Sequence, residues 1–190
     1  MIVHLTDLHI REPGRLAYGR IDTAPYLRTA VESVLRLRQR PHAVVITGDL
    51  TDFGRSGEYA HLAQLLAPLN MPIYLLPGNH DDREQMRRSF PDHGWLGRAG
   101  AFMQYSVQIG GLHLIALDTC DPGKPNGRLD RDRLAWLEAE LEAHKERRVV
   151  IAMHHPPFET LIGHMDLIGL QQGSAELEAI VTRYPNIERV

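Results

Sequence analysis

Four short apolar runs in this sequence are each followed at once by residues that can bind metal or move protons. Thr6-Asp7-Leu8-His9 follows Ile2–Leu5, and Gly48-Asp49-Leu50-Thr51-Asp52 follows Ala43–Thr47. Pro77-Gly78-Asn79-His80-Asp81 follows Ile73–Leu76, and His154-His155-Pro156-Pro157 follows Val149–Met153. Carboxylate, amide and imidazole donors together suit Mn, Fe, Co, Ni or Zn, and the lack of thiolates argues against a structural zinc site. Asp7 and His9 are two apart, so both side chains can point to one side where the strand opens into a loop. Gly48 and Gly78 precede Asp49 and Asn79, where a missing Cβ permits a tight turn and close approach. Asp49 has two carboxylate oxygens and can bridge two ions about 3.5–4 Å apart, the spacing of two-metal phosphotransfer sites. Alone, each piece is an ordinary turn, cap or loop exit. Their order, each behind a buried strand, makes the metal reading specific.

Such donors converge only if their strands end on one rim, as the carboxyl ends of parallel strands do in an open α/β sheet. The apolar runs read as strands buried on both faces. Between them the spacing is helical. Thr23–Arg40 is expected as a helix with Leu27, Val31, Val34 and Leu35 on one face and Thr23 as its cap. Ser56 is expected to cap a helix bearing Leu62, Leu65, Leu66 and Leu69, Asp130 one bearing Leu134, Leu137 and Leu141, and Ser174 one through Leu177, Ile180 and Val181. Asp81 or Asp82 is expected to cap the helix after the third motif. Gly110-Gly111, between Met103–Ile109 and Leu112–Leu117, signals a hairpin inside an otherwise βαβ pattern. The 190 residues read as one α/β domain, and Asn186–Val190 looks like the first residues of a further strand, so the chain reads as cut short.

Composition excludes several classes. One cysteine, Cys120, forbids a disulfide framework, and its expected role is packing. A net charge of -3 gives no global case for nucleic acid or an anionic membrane. No apolar run reaches the roughly 20 residues of a membrane span. The start, MIVHLTDLHI, reads directly as a strand rather than a leader, so a cytoplasmic location is expected. Eleven histidines point back to metal chemistry.

In order and type, Asp7-x-His9, Gly48-Asp49-x-x-Asp52, Gly78-Asn79-His80-Asp81 and His154-His155-Pro156-Pro157 resemble the motifs of the calcineurin-like metallophosphoesterases. Within that family the chain is most similar to bacterial class III cyclic-nucleotide phosphodiesterases and to glycerophosphodiesterases, sharing Leu16–Asp22 (LAYGRID) and Met165-Asp166 as well. The resemblance implies a four-layer αββα sandwich of two mixed sheets flanked by helices. It also implies two divalent transition-metal ions, one held by Asp7, His9 and Asp49, the other by Asp49, Asn79 and His154. His80 would stand beside the phosphate, stabilising charge or protonating the leaving group. The family closes with Gly-His-x-His on a following strand, which this sequence does not contain. The family often dimerises through its C-terminal region, so a homo-oligomer is compatible with the sequence and the oligomeric state stays open.

Charge counting gives the expected chemistry. Two divalent ions, two aspartates and a bridging hydroxide leave about one positive charge in a partly dry cleft, matching a phosphodiester monoanion. Such ions lower the pKa of a bridging water towards ~7, so hydroxide can attack phosphorus in line without a protein nucleophile. The expected partner is a small phosphodiester, a cyclic nucleotide such as cyclic AMP or a glycerophosphodiester, with no nucleic acid and no membrane. Asn79, His80, His155 and Arg20 are candidate substrate contacts. Arg11, Arg15, Tyr18 and Arg20 form either a solvated loop face or a reach to the distal part of the substrate. His164 is a candidate to shape the pocket. Asp52 is expected to orient the loop beside Asp49. His4, His42, His61, His93, His113 and His144 read as ordinary. A nuclease or phosphomonoesterase of the same family, and a scaffold that has lost catalysis, are the rivals. A dinucleotide fold is disfavoured because no strand precedes a Gly-x-Gly-x-x-Gly.

Overall fold

A computed structural model describes residues 1–93, 96 and 102–190. They fall into two compact units, Met1–Leu96 and Gly97–Val190. The first runs β1 (Ile2–Leu5), α1 (Ala24–Leu35), β2 (Ala43–Thr47), α2 (Ser56–Leu66), β3 (Ile73–Leu76) and α3 (Arg83–Ser89). Its three strands form a wholly parallel sheet in the order β1-β2-β3. Leu5 pairs with Ile46 and Ile46 with Leu75, so all three strands leave the sheet at nearly one level. Asp7, Asp49 and Asn79 follow these three residues by two, three and four positions, which is how the register delivers them to one rim. Every residue of β2 is buried, as its unbroken apolar run requires, whereas β1 is only partly covered and His4 is exposed beside Thr47.

The second unit runs β4 (Tyr105–Ile109), β5 (Leu112–Ala116), β6 (Gly127–Arg128), α4 (Arg131–Ala143), β7 (Arg148–Ala152), α5 (Gly163–Ile168), β8 (Leu170–Gln172), α6 (Ser174–Arg183) and β9 (Ile187–Arg189). Its main sheet is ordered β4-β5-β7-β9, with β4 antiparallel to β5 and the remaining pairs parallel. The hairpin turns at Gly110, whose φ of 58° a side chain would disfavour. Leu134, Leu137 and Leu141 of α4 and Leu177 and Ile180 of α6 pack on Ile115, Val149 and Ile151 of the strands. A two-stranded parallel ribbon, β6 with β8, lies outside the main sheet.

The α/β class and the helix-flanked sheets are as expected. The mixed sheet is the second one, while the first is purely parallel. Three local expectations need correction. The first helix stops at Leu35 rather than Arg40, because Arg36-Leu37-Arg38-Gln39-Arg40 carries no further apolar face to bury, and Leu35 and Leu37 are exposed. Ser56 and Ser174 are first residues of their helices, not caps: Glu58 accepts from the amides of Phe53 and Arg55 at 3.0 and 3.1 Å, and Gly173 takes a φ of 88° ahead of α6. Thr23 does occupy the N-cap position of α1, but its side chain makes no capping bond; its hydroxyl donates to the carbonyl of His9 at 2.9 Å. Asp130 and Asp82 do cap their helices, accepting from Arg133 N and Gln85 N. Among the described residues no helix is long and apolar enough to cross a membrane.

Leu137 is fully enclosed between α4 and the second sheet. Leu137→Ala should lower unfolding free energy by about 2–5 kcal/mol, read from urea denaturation, because the cavity it leaves cannot fully collapse.

Candidate metal and phosphate site

The loop leaving β1 and the loop leaving β2 stay paired after the strands end. Asp7 N donates to Gly48 O at 3.2 Å, His9 N to Asp49 O at 2.9 Å, and Ile10 N to Leu50 O at 3.1 Å. Held this way, Asp7, His9 and Asp49 adopt φ values of 55°, 43° and 48°, the left-handed region that non-glycine residues seldom occupy. Such strain persists where the surroundings over-determine it, as they do at ligand clamps. The result is a cluster of donors. His9 Nε2 lies 3.6 Å from Asp49 Oδ2 and 4.0 Å from Asp7 Oδ1. Burial pushes the His9 imidazole below its ordinary pKa, against the opposing pull of Asp49, and so favours the neutral ring that a metal requires.

His80 is fixed from two sides. Its amide donates to Asp49 Oδ1 at 3.0 Å, and its Nδ1–H donates to the carbonyl of Asp52 at 2.8 Å. Because a carbonyl only accepts, the proton sits on Nδ1 and leaves Nε2, 4.0 Å from Asp49 Oδ2, as the working atom. The rings of His9 and His80 meet edge to face with centroids 4.8 Å apart. One ligand atom each from His9, Asp49 and His80 lies within 4.8 Å of the others, so His80 joins a group of donors that could hold an ion. The Tyr18 hydroxyl stands 3.2 Å from His9 Nε2, and burial together with Asp49 raises its pKa.

Behind this cluster lies a brace. The Asp81 carboxylate accepts from the amides of Gly78, Leu50 and Thr51 at 2.9, 3.0 and 3.2 Å, and from the hydroxyls of Thr51 and Tyr59 at 3.2 and 2.9 Å. It thus ties the β2 and β3 exit loops together, and desolvation pushes its pKa up to about 6. Gly78 is needed for the same closure: a Cβ there would sit 2.2 Å from Asp49 N and Oδ1. On the other flank Arg11 pairs with Glu58 at 2.7 Å and with Asp52 Oδ2 at 3.2 Å while its guanidinium covers the Phe53 ring. Asp52 Oδ1 in turn lies 3.6 Å from His9 Nδ1, so Asp52 steadies both histidines.

The first unit therefore brings Asp7, His9, Asp49 and His80 together, with Asn79 between Gly78 and His80 on the same loop. Arg20 is exposed beside Tyr18 and Gly19 on the β1–α1 connection, with no side-chain bond to the cluster. Arg11 proves structural rather than free to reach a substrate. His154 follows the end of β7 in the second unit. His155 is committed inside that unit: Nε2–H donates to the carbonyl of Pro125 at 3.2 Å, and Nδ1 accepts from Thr119 Oγ1 at 2.7 Å. The sequence offers Asp81 only as an alternative helix cap, a role Asp82 takes, and its bracing role appears only in the fold. The available signal was two consecutive aspartates before one helix, only one of which can cap it.

Comparison with known proteins gives concordant matches. A model of the calcineurin-like phosphoesterase family matches residues 1–190. The chain is 32% identical, over 98% of its length and 68% of the relative's, to a probable glycerophosphodiester phosphodiesterase GpdQ of Arcobacter nitrofigilis. It is 34% identical, over all of its length and 68% of the relative's, to glycerophosphodiester phosphodiesterase GpdQ of Enterobacter lignolyticus. It is 39% identical, over 97% of its length and 68% of the relative's, to a probable cyclic nucleotide phosphodiesterase of Rhodopseudomonas palustris.

Gly78→Ala should displace the Asp49 loop, lowering stability by about 1–3 kcal/mol and reducing metal uptake. Gly111→Ala, where a Cβ meets nothing within 4 Å, is the control and should change neither urea midpoint nor metal content appreciably.

Proposed function

Because the chain belongs to the calcineurin-like phosphoesterase family, we propose that it is a metal-dependent hydrolase of small phosphodiesters, acting on a cyclic nucleotide or a glycerophosphodiester. The observation that carries this reading is the convergence of Asp7, His9 and Asp49 donors beside His80 Nε2. Oxygen and neutral-imidazole donors 3.6–4.0 Å apart need only small side-chain rotations to close on a transition-metal ion with bonds of about 2.0–2.2 Å. The donor set fits the group. Asp7, His9 and Asp49 would hold one ion, and the sequence motifs add Asn79 and His154, with Asp49 again, for a second. Divalent ions bound there supply Lewis-acid charge and a water acidic enough to ionise near neutral pH.

The chain's own residues do the rest. Asp49 divides its work: Oδ1 accepts from the His80 amide, while Oδ2 lies toward the imidazoles of His9 and His80. His80, held through Nδ1, presents Nε2 to a phosphoryl oxygen or to the departing alkoxide, beside the carboxylates of Asp49 and Asp52. Asn79 offers a neutral amide that can ligate or hydrogen-bond the phosphate. Arg20, exposed on the β1–α1 connection, is proposed to meet the part of the substrate beyond the phosphate. His155 is left out of the substrate contacts because both its ring nitrogens are occupied.

A turnover panel on metal-reconstituted protein, with cyclic AMP, glycerophosphoethanolamine and an aryl phosphodiester, tests the reading. Hydrolysis that chelation abolishes is expected. Metal-replete protein inert on all three would overturn it, and a preference for DNA that weakens with salt would favour a nuclease instead. His80→Ala should lower kcat roughly 100-fold with metal content nearly intact. Asp49→Ala should lose both ions of this centre, as measured by metal analysis after dialysis.

A further inference from the structure

On the second unit, His113 of β5 faces the end of α4, where Glu140 lies in the last turn and His144, four residues on, is the C-cap. Residues four apart share one helical face. The two imidazoles lie against each other with centroids 3.7 Å apart and planes inclined by 37°. Glu140 Oε2 is 3.7 Å from His144 Nε2, and one donor atom from each of the three residues lies within 4.8 Å of the other two. We infer that His113, Glu140 and His144 form an accessory site for one zinc-class divalent ion, built wholly within the second unit.

The inference stands first on His113. Its residue is 5% exposed, and both ring nitrogens are buried without a hydrogen-bond partner. A buried imidazole left with a free lone pair costs free energy that a partner would recover, and among the described residues no hydroxyl, amide or carboxylate supplies one. Burial, the neighbouring His144 ring and Arg147 push its pKa down, so it holds the unprotonated form whose lone pair a metal takes. The set of two imidazoles and one carboxylate suits zinc, cobalt or nickel, and lacks the all-oxygen shell that calcium and magnesium prefer. With Zn–N bonds of about 2.0–2.1 Å, tetrahedral donors lie about 3.4 Å apart. The Glu140–His144 pair is already near that spacing, and both side chains are partly exposed, so they can rotate to close the remainder.

Supporting contacts orient the ligands as outer partners orient those of metal sites. Ser106 Oγ donates to Glu140 Oε2 in a short hydrogen bond. Asn186 Nδ2 donates to the carbonyls of His144 and Arg147 at 3.3 and 2.8 Å, fixing the end of α4. Arg147 is the opposing charge near His113, and its guanidinium donates to Gln108 Oε1 at 2.7 Å. Three protein ligands leave the fourth position to water, so the ion would staple the end of α4 to β5.

The test is equilibrium dialysis of the full chain against buffered micromolar Zn2+, with metal counted per chain. His144→Ala, at the partly exposed ligand, should bind one ion fewer than the parent while hydrolysis of an aryl phosphodiester stays unchanged. Glu140→Gln is the second variant should His144→Ala fail to fold. Loss of a single ion in either folded variant supports the site, and full retention in both overturns it. Asp49→Ala in the same dialysis reads the strand-end centre separately: it should keep the ion that is sensitive to His144, whatever becomes of its activity.

Discussion

Two loops that leave adjacent parallel strands continue to bond each other after the sheet has ended, and the candidate centre rests on that pairing. The bonds from Asp7, His9 and Ile10 to Gly48, Asp49 and Leu50 hold three ligand-type residues in the left-handed region. Conformations of that kind cost about 1–3 kcal/mol each and need compensation nearby. Here the compensation is visible. Asp81 gathers three amides and two hydroxyls on one carboxylate, and Gly78 lets the third loop come close enough to meet Asp49. Strain, brace and close approach are parts of one arrangement, and none of them is explained by packing alone.

Charge points the same way. Asp7, Asp49 and Asp52 lie around His9, and Arg11, paired with Asp52, is shared with Glu58. Such a surface repels a phosphodiester until cations reverse its sign. The family to which the chain belongs is one of phosphoesterases, and an arrangement that attracts cations first and an anion second accords with that chemistry. His80 sits where both can be felt, tied by its backbone to Asp49 and by its ring to Asp52.

The histidines show how little residue type decides. His155 adjoins a motif histidine yet has both nitrogens occupied inside the second unit. His61 spends its Nδ1–H on the carbonyl of Arg11 and so helps position that residue. His113, unremarkable in the sequence, is buried with neither nitrogen bonded, in reach of a carboxylate and a second imidazole. Hydrogen-bond satisfaction separates the three where sequence neighbourhood does not.

The amino-acid order by itself determined the strands β1, β2 and β3, the faces of α2 and α4, and the identity of Asp7, His9, Asp49, Asn79, His80 and His154 as candidates. Those features are local: a continuous apolar run marks a buried strand, and polar residues directly behind it mark the strand's end. The extent of α1, the brace at Asp81, the ion pair of Arg11 with Glu58 and the meeting of His113 with Glu140 and His144 were decided only by tertiary structure. Each joins residues from different elements, and one-dimensional spacing carries no record of which side chain loses its water, which amide is left needing an acceptor, or which helix turn comes to rest on which strand.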